Sequence, residues 1–278
     1  MHVKATAKTD VSKEMSMIKR EVPIVKLDLS FDRNRSVCML EDCIPGAVPY
    51  HHTILKGSSL TFEPGSFHHI LLTFVGDAEF STDGNEYVFH ERVCFIPHPD
   101  KECTVKAITD LHILEIKWNK RLPEDDDLMA EYKTQYPVIQ IYRNSKQYRD
   151  KNKSEKTISR STIDQRRIPR FAYGSVETYG IDAVKSHDHP MLDQFFFSFP
   201  ENQMDVLIDY LPYHMDGCCL MYIPLGSIHG VDIKEQEHCH YMWIDFYPDN
   251  DLALKRLDAS HIATGKHVEF DEKTGERK

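Results

Sequence analysis

From Thr53 to Trp118 short apolar runs are separated by turn-forming residues so regularly that the segment has little room for anything but β-strands. Ile70-Leu-Leu-Thr-Phe-Val75, Ala78 to Thr82, Glu86 to Phe89, Val93 to Pro97, Cys103 to Ala107 and Leu111 to Lys117 follow one another, with Asp83-Gly84 marking a hairpin. Strands at roughly 8–12-residue spacing argue for a sandwich or a barrel. Ile24 to Leu29 and Ser36 to Leu40 are two shorter strands ahead of this run. The rhythm returns over Phe171 to Thr178, Gln194 to Phe199, Asp205 to Tyr210, Cys218 to Ile223, Gly230 to Ile233 and His238 to Tyr247. Between the halves, Lys120 to Arg170 breaks it. Pro123-Glu-Asp-Asp-Asp127 suits a helix N-terminus, a short helix runs through Leu128 to Tyr132, and Lys146 to Lys156 is densely charged. The expected organisation is a tail over 1–21, an N-terminal β unit over 22–120, a connection over 121–170, a C-terminal β unit over 171–263 with a helix at Leu252 to His261, and a polar tail over 264–278.

The halves are related. Val93-Cys-Phe-Ile-Pro97 aligns with Leu220-Met-Tyr-Ile-Pro224, and Pro99 and Glu102 stand where the second half has Gly226 and His229. The histidines of the first half come as adjacent pairs, His51-His52 and His68-His69, which point to opposite faces of a strand and make no chelating pair. The first unit therefore reads as structural or ligand-gating.

The second half carries the chemistry. His187-Asp-His189 puts two imidazoles on one strand face, because side chains alternate with a period of two. Gln194 opens the next apolar strand, and Pro224-Leu-Gly226-Ser-Ile-His229 delivers a third imidazole from a tight turn. These four could converge on one divalent ion. A second pair, His238-Cys-His240, has no partner segment downstream. On its strand Trp243, Asp245 and Tyr247 share one face and His240, Met242 and Ile244 the other, so His240 and Asp245 are the substrate-contact candidates from each face. Lys185, two residues before His187, would share its face and meet a substrate carboxylate. Asp209, Tyr210, Glu177 and Asp245 are the candidate acid–base groups on adjacent strands.

With 34 basic and 44 acidic residues the net charge is −10, which repels phosphate backbones and argues against a nucleic-acid partner. Arg160 to Arg170 is the one locally basic stretch, a solvated linker or, as the alternative, an anion-binding rim or interface. No apolar run approaches the roughly 20 residues that cross a bilayer, and the N-terminus lacks the apolar core of a secretory signal. Seven cysteines, an odd number without a Cys-x-x-Cys pair, read as reduced thiols, and the expected compartment is the cytoplasm.

The His-x-His-x4-Gln and Pro-x-Gly-x-x-His segments resemble the two metal motifs of the cupin superfamily, with Gln194 where that superfamily most often has glutamate. The layout is also similar to the 5-keto-4-deoxyuronate isomerase family of bicupins, in Ser161 to Pro169, His187-Asp-His189, Gln194 to Phe199 and Ser227-Ile-His229-Gly230. The resemblance implies an all-β chain of two tandem cupin barrels (double-stranded β-helix, or jelly roll) with a few short helices. The second barrel would hold the metal on His187, His189, Gln194 and His229. It implies zinc, with iron, manganese or nickel as alternatives, aldose–ketose isomerisation of a small sugar acid such as a keto-deoxyuronate, and a homo-oligomer. A hydrolase, an oxygen-using oxidase and a non-catalytic sugar sensor are the other readings of the same ligand set.

Overall fold

The computed structural model describes residues 20–118, 122–164, 166–189, 192–271 and 274–278; most of the expected N-terminal tail lies outside these. Two β units follow one another, each a large sheet facing a small one, and every strand pair is antiparallel. In the first unit a six-stranded sheet runs in the order 138–141, 93–96, 68–75, 111–118, 47–54 and 35–38, against a four-stranded sheet of 59–62, 103–107, 78–82 and 85–89. In the second, eight strands run in the order 24–26, 219–223, 193–198, 238–246, 171–179, 158–163, 146–149 and 262–263, and they face 182–188, 228–233, 203–208 and 211–216.

Why the central strands read as unbroken apolar runs follows from where their faces point. Each large sheet buries both sides. One face fills its own barrel, as with Phe80 stacked on Phe95 at 4.3 Å in the first unit. The other packs against the outer face of the partner sheet in a third core that joins the two units. There Phe74 meets Phe197 at 5.0 Å and Trp118 meets Phe246 at 4.9 Å. The strand His238–Phe246 shows both assignments: Met242, Ile244 and Phe246 belong to the shared core, while Tyr241 and Trp243 belong to the second barrel. A strand with two buried faces has no polar side to alternate with.

Two expectations about chain organisation need correcting. The first strand does not stay with the first unit: Ile24 pairs with Met221 and Lys26 with Cys219. It thereby covers the edge of the second large sheet, whose open hydrogen-bonding groups would otherwise invite pairing with another chain. Nor is 121–170 a mere connection. Val138–Ile141 extends the first large sheet, and Lys146–Arg149 and Ile158–Ile163 extend the second. The dense charge of 146–156 misled because the strand Lys146–Arg149 is buried on both faces at its centre, Tyr148 lining the second barrel's cavity and Gln147 covered by the C-terminal segment, while its charged ends Lys146 and Arg149 stay exposed.

Helix α1, Pro123–Glu131, and helix α2, Asn250–Ser260, are the two α-helices among the described residues. Asp125 caps α1 by accepting the Leu122 N–H at 2.8 Å, and its carboxylate takes the buried Arg170 guanidinium in a two-pronged pair. The polar C-terminal segment is docked: Gln147 Nε2 donates to the Val268 carbonyl at 2.6 Å, and the Phe270 ring lies 5.0 Å from Tyr179. No described helix is long and apolar enough to cross a membrane.

Candidate metal centre

His187 comes from the strand Asp182–Asp188, His189 from just past its end, and His229 from the strand Ile228–Ile233 beside it. The turn that precedes His229 closes with Ser227 N–H donating to the Pro224 carbonyl at 3.0 Å, and Gly226 takes φ +75°, the left-handed value that its position in a type II turn demands. Between Val184 and His187 the register slips by one, a β-bulge. Gly230 permits it: a Cβ there would lie 2.7 Å from the Val184 carbonyl. The bulge carries Val184 and His187 to the same side and leaves Lys185 exposed, so Lys185 does not share the face of His187 as its spacing suggested.

The three rings meet. Their centroids stand 4.6 Å (His187 to His189), 4.9 Å (His187 to His229) and 4.9 Å (His189 to His229) apart, and one nitrogen from each lies within 4.8 Å of the other two. His187 Nδ1 lies 2.7 Å from the Lys185 carbonyl, which can only accept, so the proton sits on Nδ1 and Nε2 is left with its lone pair. Burial, with the His187 ring beside it, pushes His229 down to about 3, and burial also lowers His187. Both are neutral near pH 7, the form that binds metal.

Gln194 stands on the strand Asp193–Ser198 and faces the same cavity wall as His189 and His229. Its Nε2 donates to Asp245 Oδ1 at 2.6 Å, which leaves Oε1 buried and without a partner; His229 Nδ1 is also buried and unpartnered. Asp245 takes a second hydrogen bond from Tyr247 at 3.0 Å, and burial pushes its carboxyl up to about 7 against those two donors. Three clustered imidazoles, two of them held neutral by burial, beside a buried and unpartnered amide oxygen suit a divalent ion of the zinc, iron, manganese or nickel type. Partners of this kind, one step behind the ligands, typically govern metal affinity by 10–100-fold. Asp245→Asn should therefore weaken metal binding by about 10–100-fold, measured by competition with a chromogenic chelator.

The centre opens on a cavity of about 990 Å³ whose wall includes Tyr148, Tyr241, Trp243 and Tyr247, with His261 stacked on Tyr148 at 3.8 Å. Helix α2 lines part of it through Arg256, Leu257, Ala259 and Ser260. Much of the wall, from Tyr148 to Lys153, comes from the segment expected to be a connection. In sequence only the pairing of Gln147 and Tyr148 amid charge hinted at it.

The other nominated residues lie elsewhere. Asp209 and Tyr210 form the two-residue turn between Gln203–Ile208 and Leu211–Asp216, with φ of 50° and 66°. Asp209 Oδ1 accepts the Ile228 N–H at 3.0 Å, so it braces the strand that carries His229, while Tyr210 is 66 % exposed at the tip. Glu177, His238 and His240 are close enough to suggest a second cation site, but on the face turned away from the cavity. Their polar atoms are already engaged: Glu177 with Arg160 at 2.8 Å and His238 at 3.3 Å, His240 with Glu201 and the Tyr142 hydroxyl, each at 2.6 Å. Arg92 then grips Glu201 with two 2.8 Å contacts, tying this network to the first unit. A guanidinium against Glu177 is the cation already there. Of the pair His240 and Asp245, the structure puts Asp245 in the cavity.

No family model and no curated protein matches the chain by sequence. Solved structures do resemble it. A cupin 2 conserved barrel domain protein from Leptotrichia buccalis aligns over 83% of this chain and 100% of its own, with TM-score 0.55 and 15% identity. An oxalate decarboxylase formate complex from Lactobacillus farciminis aligns over 88% of this chain and 89% of its own, with TM-score 0.62 and 10% identity. AerE from Microcystis aeruginosa aligns over 81% and 97%, with TM-score 0.60 and 10% identity. Together with two antiparallel units, each a large sheet closed by a small one, these likenesses place the chain in the all-β cupin fold, built twice in tandem.

Proposed function

We propose that this protein is a metal-dependent enzyme that interconverts the aldose and ketose forms of a small sugar acid, with His187, His189, His229 and Gln194 holding a divalent ion, zinc first among the candidates. The observation that carries the reading is the convergence of three imidazoles from two neighbouring segments beside a buried, unpartnered amide oxygen at the wall of a roomy cavity. When bound, the ion would polarise a substrate carbonyl, and a donor set with no charge of its own leaves it the full positive charge for that task. The chain's residues do the rest. The wall from Tyr241 to Tyr247 excludes water from one side of the substrate and offers ring faces and a phenol for its hydroxyls. Asp245, the nominated acid–base group that reaches the cavity, is assigned the proton that moves between neighbouring carbons. Free thiols at all seven cysteines suit a reducing compartment such as the cytoplasm.

The test is elemental analysis of the purified protein followed by a screen of keto-deoxyuronates and simple aldoses, before and after treatment with a chelator. One metal per chain and turnover that vanishes on chelation and returns with zinc is the expected result. A protein with no metal affinity, or with turnover indifferent to chelation, would overturn the reading.

A further inference from the structure

Arg256 is the cavity residue that neither the motifs nor the fold explains. It projects from α2, and α2 is well fixed: Asp249 accepts the Leu252 N–H at 3.1 Å, Asn250 Nδ2 donates to the Tyr132 hydroxyl at 3.1 Å, and Asn250, Ala253 and Leu257 are buried. The other cations lining the cavity are accounted for. Arg149 pairs with Glu155 at 2.8 Å, Lys153 with Asp150 at 3.0 Å, and Lys151 stands in solvent. Arg256 is half-buried, and the partners its guanidinium has among the described residues are the Asp188 carbonyl at 3.4 Å and the ring nitrogen Nδ1 of His189.

The Asp188 carboxylate acts on the Arg256 guanidinium through its charge but makes no ion pair with it, so a guanidinium taken partly out of water is under-compensated here, and an imidazole nitrogen is a weak counterpart for it. The group it matches best is a carboxylate, gripped by two parallel N–H donors. Its place is as informative as its charge. The guanidinium touches one of the three clustered histidines, so an acid held by it would have its carboxylate beside the metal centre rather than at the far end of a long molecule.

We infer that Arg256 is the carboxylate-binding residue of this cavity, and that the substrate is a compact hydroxy- or keto-acid whose carboxylate lies against the three-histidine cluster. The inference rests on the reading of that cluster as the reaction centre. It assigns to Arg256 the role that spacing alone gave to Lys185, whose side chain is exposed beyond the bulge.

The experiment is calorimetric titration of the full chain with D-gluconate and with D-glucitol, polyols of the same length that differ in the carboxylate. Wild type should bind gluconate more tightly than glucitol. Arg256→Gln should lose roughly tenfold or more of the gluconate affinity, as expected for removal of a hydrogen bond to a charged group, while its glucitol affinity, melting temperature and metal content stay as in wild type. Arg256→Lys, which keeps the charge but not the fork, should fall between. Equal binding of gluconate by wild type and Arg256→Gln would overturn the assignment, as would a wild type that does not distinguish gluconate from glucitol. Absence of metal from both proteins would count against the reaction centre, and the gluconate titration of the same metal-free samples would still decide Arg256.

Discussion

His229→Ala should abolish metal retention and, with it, turnover, while leaving the protein folded. The free energy of a four-ligand metal site is on the order of 10–16 kcal/mol, so each ligand contributes roughly 3 kcal/mol and its loss weakens binding more than a hundredfold. His229 is the most informative of the three to remove. It is 3 % exposed, it is held neutral by burial, and it lies within ring contact of both other histidines and of Phe196, 5.8 Å away. The measurement is metal stoichiometry after gel filtration, alongside circular dichroism. His52→Ala in the first barrel is the matched control, since it removes a buried histidine from the other unit and should leave the stoichiometry unchanged. A His229→Ala protein that kept a full equivalent of metal would remove the centre from consideration.

How much of this was legible in the chain depends on whether the signal was local. The three histidines were, because His187 and His189 sit two residues apart and His229 follows a turn whose proline and glycine announce its geometry. The tandem architecture was, through the matching Val93–Pro97 and Leu220–Pro224 segments. Features that arise when distant segments meet were not. The bulge that turned Lys185 outward is set by Gly230, more than forty residues later, and the exchange of Ile24–Lys26 into the second sheet depends on an edge that exists only once that sheet has formed. Arg256 stood in a helix that was anticipated, but nothing in the helix says that it reaches back over a strand end nearly seventy residues earlier. The faces of His238–Phe246 could not be told apart because both are buried, one in each core.

The first barrel shows the same limit in its sharpest form, and its consequence is an expected loss of about 3 kcal/mol of stability in Glu115→Ala. Adjacent histidines do point opposite ways, as His51-His52 and His68-His69 predict, yet one of each pair turns inward. His52 Nε2 lies 2.8 Å from one Glu115 oxygen, and His69 Nδ1 contacts the other. His69 Nε2 must donate to the Glu63 carbonyl at 3.0 Å, because a carbonyl offers no proton, so the His69 contact to Glu115 holds a further proton between a ring and a carboxylate. Burial alone would push Glu115 up; hydrogen bonds from His52 and His69 overcome it and hold the carboxyl at about 2, against 4.5 for an ordinary glutamate. That gap corresponds to about 3 kcal/mol of folded-state preference for the ionised form. The contribution is whole above about pH 4.5 and is lost as pH falls toward 2, because below the folded value the proton binds both states alike. Denaturant titrations at pH 7 and pH 3 test this together. Wild type should lose part of its stability between the two, and Glu115→Ala should begin lower at pH 7 and lose less on acidification. A variant as stable as wild type at pH 7, or one with the same acid loss, would show that the two histidines hold the first barrel together without the carboxylate between them.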